Sequence, residues 1–244
     1  KMRLKNKICL ITGSSRGIGK KIAQSFSAEG AYVIITYNKN RVEANKLSKK
    51  LKNSSVYKLD VSKKSEVKKV FSLVKKKFKR IDVLVNNAGT NKTNDFDKLS
   101  EKDWDLVLNV NLKGVFLCCQ EVLKSMPSGG KIINIGSLSG EYGGPRTPSY
   151  AAAKAGVMSL THCLARFVGK KKINVNCISP GVIDNEFTSK TMSKNVKGIV
   201  KNLLLIPRLG KLDDLTGAAI FLASNESDYI TGQTISINGG AWVR

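Results

Sequence analysis

The chain has 244 residues, enough for one α/β domain with a sizeable core. Lysine and arginine total 42 against 18 aspartates and glutamates, a formal net charge of +24. No apolar run reaches the ~18 residues that a membrane helix needs, and no zinc finger, helix-turn-helix or aromatic-interleaved basic motif accompanies the charge. We therefore expect no membrane span and no nucleic-acid partner. The lysines either attract an acidic partner or simply fill exposed helix faces.

The five cysteines indicate the compartment. They lack metal-ligand spacing, so no metal is expected, and three of them lie in apolar runs typical of a core. The basic segment Lys1–Lys7 leads directly into a predicted strand and lacks the apolar region of a signal peptide. We expect a reducing, cytoplasmic environment.

The first predicted unit is a strand, a glycine turn and a helix. Lys7–Thr12 is a short apolar run typical of a buried strand, and a helical pattern runs from Ile18 to Glu29. The turn between them reads Gly-Ser-Ser-Arg-Gly-Ile-Gly from Gly13, a spacing that differs from the commoner dinucleotide fingerprint. Glycines permit a tight turn against a pyrophosphate, and the helix N-terminus offers amide donors and a favourable dipole. This junction predicts a dinucleotide site.

The end of the second predicted strand, Tyr32–Tyr37, bears on cofactor choice. An NAD site usually places an acidic residue near this point to bind the ribose 2′-hydroxyl, but here the chain continues Asn38-Lys39-Asn40-Arg41. Arg16, with Lys39 or Arg41, is suited to neutralise a 2′-phosphate. The sequence therefore favours NADP over NAD, although Lys39 and Arg41 also fit ordinary loop charges.

Helices and strands then alternate. Helices are predicted at 42–52 and 65–78, and strands at 56–59 and 81–85, the latter ending in Asn86-Asn87-Ala88-Gly89. Small and amide residues at a strand end suit a backbone that lies against a ligand. The alternation predicts an α/β fold: a single-domain, Rossmann-type, doubly wound parallel sheet with helices on both faces. Ligands are expected at the carboxyl ends of its strands.

The second half continues this pattern. Helices are predicted at 100–107, 111–124 and 212–223, and strands at 131–135, 173–178 and 234–237. Asn111 lies amid apolar neighbours and must bond some partner when buried, whereas Ser137 follows a strand end. The polar stretch 184–200 is predicted to be a mobile segment beside the site. With no linker or repeat, residues 1–244 are predicted to form one domain.

Tyr150 and Lys154 carry the predicted chemistry. They lie four apart in an alanine-rich helical run, which places both side chains on one helix face. A nearby ammonium is expected to lower the phenol pKa from its usual value near ~10, so the pair suits proton transfer. The spacing alone is common and also fits a core tyrosine with a solvated lysine. The upstream Ser137 and the nucleotide site favour the catalytic interpretation.

Together these motifs resemble the classical short-chain dehydrogenase/reductase family over essentially the whole chain. The motifs are Thr12-Gly13-x-x-x-Gly17-Ile18-Gly19, Asn86-Asn87-Ala88-Gly89, Asn111, Ser137, Tyr150-x-x-x-Lys154 and Pro180-Gly181. Within the family the chain is most similar to 3-oxoacyl-[acyl-carrier-protein] reductases, through the stretches that begin at Asn111, Tyr150 and Tyr229.

The resemblance implies residue roles. Tyr150 protonates the carbonyl oxygen as the nicotinamide delivers hydride, and Ser137 holds and polarises that oxygen. Lys154 lowers the Tyr150 pKa and binds the nicotinamide ribose, and Asn111 holds a water that connects Lys154 to solvent. The implied cofactor-binding residues are Gly13, Ser15, Arg16, Gly17, Ile18, Gly19, Asn38, Asp60, Val61, Asn87, Ala88, Gly89, Tyr150, Lys154, Pro180, Gly181 and Ile183.

The substrate remains open at this point. Arg146-Thr147-Pro148-Ser149, Asn185 and Ser128 depart from the pattern of the 3-oxoacyl reductases, and all lie around the expected substrate mouth. An NADPH-dependent 3-oxoacyl-thioester reductase is the first hypothesis. A short-chain dehydrogenase of a sugar, polyol or small ketone is the second, and a non-catalytic nucleotide-binding protein on the same fold is the third.

The resemblance also implies partners. Related proteins are commonly homotetramers built through helices equivalent to 111–124 and 150–168 and the C-terminal segment. Apolar residues beyond one core-facing stripe support this assembly: Val115, Phe116, Leu117, Val122, Leu123, Val157, Met158, Leu160 and Leu164. Lys170, Lys171 and Lys172 follow the second helix, and Lys171 matches a basic residue that docks an acidic acyl carrier protein; a solvated helix end is the alternative.

Overall fold

The protein is built around one seven-stranded parallel sheet. The structure, a computed structural model, describes residues 2–144, 146–185, 188, 198 and 200–243. The strands lie in the order β3-β2-β1-β4-β5-β6-β7. Their bounds are Ile8–Ile11 (β1), Tyr32–Tyr37 (β2), Ser54–Lys58 (β3), Val83–Asn86 (β4), Lys131–Ile135 (β5), Asn174–Pro180 (β6) and Thr234–Ile237 (β7).

Helices connect the strands and cover both faces of the sheet. They are Gly17–Ala28 (α1), Arg41–Lys50 (α2), Lys64–Phe78 (α3), Glu101–Leu108 (α4), Gly114–Val122 (α5), Ser139–Tyr142 (α6), Pro148–Val168 (α7) and Thr216–Ala223 (α8). One hydrophobic cluster packs α1, α2 and α8 against one face, and a second packs α3, α5 and α7 against the other. The predicted doubly wound architecture is confirmed. None of the described helices is long and apolar enough to cross a membrane.

Strand burial explains why the parallel order is stable. Every residue of β5 and β6 is buried, and so are the central residues of β1 and β2, because helices cover both faces. Register is shown by Leu10 of β1, which pairs with Ile34 of β2 and Leu84 of β4. The sheet order reverses between β1 and β4, so their carboxyl ends open a crevice where a ligand can lie.

Three local features differ from the sequence prediction. The first residues of the helix predicted at 111–124 belong to a π-helical turn at Asn109–Lys113, and the last predicted helix begins as a 3-10 turn at Leu212–Leu215. The one-turn helix α6 was not predicted, since four residues are too few to show a hydrophobic period. Most of the segment predicted to be mobile, 184–200, lies outside the described residues.

Candidate active site

The first turns of α7 carry the predicted proton-transfer pair. Pro148 begins the helix, where its missing amide hydrogen costs nothing. Lys154 lies one turn after Tyr150 on the same face, with its Nζ 5.5 Å from the centre of the Tyr150 ring. Lys154 is buried, and its Nζ donates a 2.6 Å hydrogen bond to the carbonyl oxygen of Ile135, the last residue of β5. The ammonium therefore ties α7 to the edge where the strands end.

Burial shifts both pKa values of this pair. It lowers the pKa of Lys154 to about 8, since a desolvated ammonium is costly. Burial also raises the pKa of the Tyr150 phenol above its usual value, and the Ser137 hydroxyl beside it partly offsets that rise. The Tyr150 pKa is therefore raised overall, whereas the sequence predicted a lowered value. The ammonium is bonded to Ile135 instead, and burial dominates the titration of the phenol.

Ser137 lies where predicted, just beyond the end of β5 and next to Tyr150. Its Oγ accepts a 3.2 Å hydrogen bond from the Ser139 amide at the start of α6. The helix α6 fits closely against α7, because a side chain at Gly140 would meet the Ala155 nitrogen at 2.6 Å. Glycine at this position lets the Ser137 loop approach the catalytic helix.

Asn111 is fully buried, as expected for an amide among apolar neighbours. Its Nδ2 donates to the carbonyl oxygens of Thr90 (2.7 Å) and Val107 (2.8 Å), and its Oδ1 accepts from the Thr90 amide (3.2 Å). The side chain thus fixes the loop after β4 to the π-helical turn. These bonds show what positions Asn111; its implied role in holding a water stays a prediction.

The glycine turn and the end of β4 are locked together. The Thr12 hydroxyl accepts hydrogen bonds from the amides of Asn87 (2.9 Å) and Ala88 (3.0 Å), and Asn87 Nδ2 donates to the carbonyl oxygens of Thr12 and Gly13. Gly13 has φ +63°, and a side chain there would meet Ala88 Cα at 2.9 Å. Only glycine suits both the dihedral and the contact.

The N-terminus of α1 is suited to an anion. Arg16, at its cap position, makes no side-chain capping bond within the described chain, and no acidic residue occupies the first turn. Nothing described lies within 4 Å of a side chain built at Gly17, which has φ +56°. Ser15 is buried and Ile18 half-buried below the turn. Uncapped amides at a helix N-terminus beside open space fit a cofactor pyrophosphate.

The remaining implied cofactor residues also lie at strand ends. Asn38 follows β2 and is exposed, whereas Asp60 follows β3 and accepts bonds from the Ser62 amide (3.0 Å) and hydroxyl (2.6 Å). Val61 is buried against Gly114 at the start of α5. The structure thus brings the implied residues to one edge of the sheet, as the resemblance implies.

Beyond β6 the chain turns tightly. A side chain at Gly181, which follows Pro180, would meet Asn238 Cα at 2.7 Å, and Ile183 is buried and forms a parallel bridge with Gly210. Thr188, which no sequence motif singled out, is buried and bonds the Ile183 carbonyl oxygen and the Asn185 amide oxygen. Thr188 therefore places a hydroxyl next to Asn185.

Glu141 is a second residue that sequence reasoning missed. It lies on α6, and its Oε1 accepts hydrogen bonds from the hydroxyls of Ser179 on β6 and Ser236 on β7. The carboxylate therefore braces the Ser137 segment against the last two strands. Its only sequence signal is an acidic residue in a basic chain, four residues after Ser137.

The cradle and the catalytic side chains define a class. The glycine turn and the α1 N-terminus fit a dinucleotide, and a half-buried phenol, a half-buried hydroxyl and a buried ammonium lie near the next strand ends. The protein is an NAD(P)-dependent oxidoreductase on a Rossmann-type fold.

Comparison with known proteins agrees with this class. A family model described as enoyl-(acyl carrier protein) reductase matches residues 13–241. The 3-oxoacyl-[acyl-carrier-protein] reductase FabG of Thermotoga maritima is 40% identical over 253 residues, covering 98% of this chain and 99% of that protein. The chain belongs to the short-chain dehydrogenase/reductase family.

Solved structures are similar over the full length. A glucose/ribitol dehydrogenase of the family from Brucella melitensis gives a TM-score of 0.96 at 30% identity and covers 100% of both chains. A blue fluorescent protein from a metagenomic library, solved with NADPH, gives a TM-score of 0.93 at 30% identity, covering 99% of this chain and 100% of that one. The similar proteins share the fold but have differently named activities.

The lowered pKa of Lys154 predicts a pH-dependent stability. Between pH 8 and 10.5 the unfolded chain keeps the Lys154 proton and the folded chain does not, so the free energy of unfolding should rise with pH. From pH 7.5 to 9.5, the free energy of unfolding of wild type should rise by about 2 kcal/mol more than that of Lys154→Met. Denaturant unfolding of the cofactor-free proteins measures this gap. Lys102→Met, at an exposed position, is the control. If the difference in free energy of unfolding between wild type and Lys154→Met does not change with pH, the prediction is contradicted.

Proposed function

We propose that this protein reduces the ketone of a 3-oxoacyl thioester to the secondary alcohol with NADPH. The observation that carries the proposal is the half-buried Tyr150 phenol beside the Ser137 hydroxyl, with the buried Lys154 one turn away. Full-length similarity to the FabG reductase supports the substrate class.

The chain's own groups suit proton delivery to a ketone. The raised pKa keeps the Tyr150 phenol protonated at neutral pH, so it is a hydrogen-bond donor before reaction and an acid during it. Ser137 donates a second hydrogen bond to the same oxygen and stabilises the charge that develops there. Lys154, largely protonated at pH 7, favours the phenolate that remains after the proton leaves. NADPH, when bound, supplies the hydride.

Tyr150→Phe tests the catalytic assignment. The substitution keeps the ring and removes the transferable proton, so turnover of an acetoacetyl thioester should fall about 10²–10⁴-fold. The dissociation constant for NADPH should change little, since the phenol is not the main contact. Tyr229→Phe, at a fully exposed position, is the matched control. Near-wild-type turnover by Tyr150→Phe would refute the assignment.

A sugar, polyol or small ketone is the alternative substrate. The glucose/ribitol dehydrogenase that this fold matches favours it, and all three catalytic side chains serve either reaction. A third possibility, a non-catalytic binding protein, is disfavoured because the catalytic set is complete. NADPH oxidation measured across acetoacetyl thioesters, sugars and simple ketones separates the three.

NADPH is proposed over NADH because of charge near β2. No acidic residue follows the strand, and Arg16, Lys39 and Arg41 are all exposed at this edge of the sheet. An exposed arginine beside the ribose fits a 2′-phosphate by charge and by its fork of donors. The related protein solved with NADPH supports this choice.

Arg16→Ala tests the cofactor preference. We expect wild type to have a higher kcat/KM for NADPH than for NADH, and the substitution should narrow that ratio about tenfold, the size of one charge-assisted hydrogen bond. Arg80→Ala removes an exposed arginine that pairs with Asp82 and should leave the ratio unchanged. A wild-type enzyme that is faster with NADH contradicts the proposal.

A homotetramer is proposed from an apolar groove of about 560 Å³ between α5 and α7. Its lining includes Leu112, Phe116, Leu160 and Cys163, and Phe116 is 46% exposed. Five of the nine residues expected on this surface lie in the protein's own core instead: Val115, Leu117, Val122, Val157 and Met158. Fewer apolar side chains are therefore available for assembly than the sequence suggested. Light scattering measures the number of copies in the assembly.

The acidic carrier protein is proposed as a partner of the Lys170–Lys172 helix end. These lysines are exposed, but α7 separates them from Tyr150 by about 27 Å within one chain. The groove lies near the middle of α7. Two copies packed antiparallel through it would bring the lysines of one copy alongside the Tyr150 end of the other. The proposed carrier site thus depends on the proposed assembly.

Salt and Lys171→Glu test the carrier proposal together. The kcat/KM for a carrier-linked 3-oxoacyl substrate should fall steeply with salt and with Lys171→Glu, because opposite charges accelerate encounter. A small free ketone should respond much less to either change. Lys49→Glu, at the end of α2, is the control for general charge effects. Equal effects of salt and Lys171→Glu on the kcat/KM of both substrates would contradict the carrier proposal.

A further inference from the structure

Two loops on the substrate side are fastened to each other. One follows β4 and contains Asn94 and Asp95; the other connects α6 to α7 and contains Arg146. The Asn94 amide donates a 2.9 Å hydrogen bond to the Arg146 carbonyl oxygen, and Arg146 Nε lies 3.0 Å from Asp95 Oδ1. We call Asn94, Asp95 and Arg146 the loop latch.

The backbone of Arg146 is strained. Its φ is +58°, a value that glycine adopts freely and arginine does not. The other described non-glycine residues with positive φ are Asn6, Lys79 and Lys172, and all three lie at the opposite edge of the sheet, before β1, β4 and β6. Strain of this kind persists only where surrounding contacts hold it, and it concentrates at functional sites. Here the latch supplies such contacts.

Both latched loops begin or end at the catalytic machinery. The first starts at Thr90, whose backbone is bonded twice by Asn111. The second leads into α7, where the Thr147 carbonyl oxygen accepts from the Ala151 amide at 2.8 Å, and Tyr150 lies four residues after Arg146. The latch therefore connects the loop leaving the cofactor crevice to the loop entering the catalytic helix.

The latch also positions an exposed aromatic side chain. Asp95 precedes the 3-10 turn Phe96–Lys98 and pairs with Lys98 at 3.7 Å, and Asn94 Nδ2 donates to the Lys98 carbonyl oxygen. Phe96, on this turn, is 81% exposed. Fixing Asp95 to Arg146 thus fixes where Phe96 stands relative to the catalytic helix.

We propose that the loop latch determines which ketones reach Tyr150. It holds the Phe96 turn against the loop before α7 and so narrows the approach to Tyr150, and releasing it should favour a ketone bulkier than a straight chain. The proposal rests on the reductase function proposed above. It assigns Asp95 and Arg146 a positioning role through the loops, with no contact to the reacting atoms.

The test compares an acetoacetyl thioester with a cyclohexanone-type ketone. Asp95→Asn removes the ion pairs with Arg146 and Lys98 and keeps the shape, and the ratio of the two kcat/KM values should fall about fivefold, the upper range for an exposed ion pair. The change should come from a lower KM for the ring ketone, with an unchanged NADPH dissociation constant. Asp97→Asn, two residues away on the same turn, is the matched control and should leave the ratio unchanged.

Arg146→Gly separates the latch from a folding defect. Glycine relieves the positive φ, so the melting temperature should rise by about 2–4 °C while the ratio falls as in Asp95→Asn. In the double variant Asp95→Asn/Arg146→Gly, the ratio of kcat/KM values should be no lower than in either single variant. Three results would overturn the latch: an unchanged kcat/KM ratio in Asp95→Asn, an equally lowered ratio in Asp97→Asn, or additive losses of the ratio in the double variant. Wild-type protein inactive on both ketones overturns the proposed function and the latch with it.

Discussion

The catalytic arrangement depends on one buried ammonium. Lys154 has its charge desolvated enough to lower its pKa to about 8, and its described hydrogen bond is to the last carbonyl oxygen of β5. A buried charge costs free energy unless it is paired, so the catalytic helix must hold this register against the sheet. Gly136 and Gly140 permit that approach, because side chains there would meet Met158 of α7 at 3.2 Å and the α7 backbone at 2.6 Å. The position of Tyr150 follows from the same contact, since it lies one turn away on the same face.

The cofactor crevice depends on hydroxyl groups that join neighbouring strands. Thr12 bonds the end of β1 to the end of β4, while Thr36 accepts from the Gly13 amide and its own amide donates to Ser14, joining β1 to β2. These bonds satisfy turn amides that a parallel sheet would otherwise leave unpaired at its edge. The glycine turn is thus held open by the strands on both of its sides.

Reaction class was predictable from sequence because it depends on local patterns. Strand periodicity, the glycine turn and the Tyr150–Lys154 spacing each follow from backbone geometry over a few residues. Contacts between distant segments were not predictable: Glu141 with Ser179 and Ser236, or Arg146 with Asp95. The sign of the Tyr150 pKa shift was missed for the same reason, because burial is a property of the packed fold. Family motifs report short local patterns and not such contacts between distant segments.

Part of the large positive charge lies at the C-terminal ends of the helices. Helices run back from the carboxyl edge of the sheet, so their C-termini gather at the opposite edge, and lysines occupy the last turns of α2 and α3 and the end of α7. Cations there complement the negative end of each helix dipole. Part of the +24 charge is thereby placed far from the cofactor crevice of its own chain. The exposed Arg16, Lys39 and Arg41 lie instead at the cofactor edge, so the two edges of the sheet carry separate groups of positive charge.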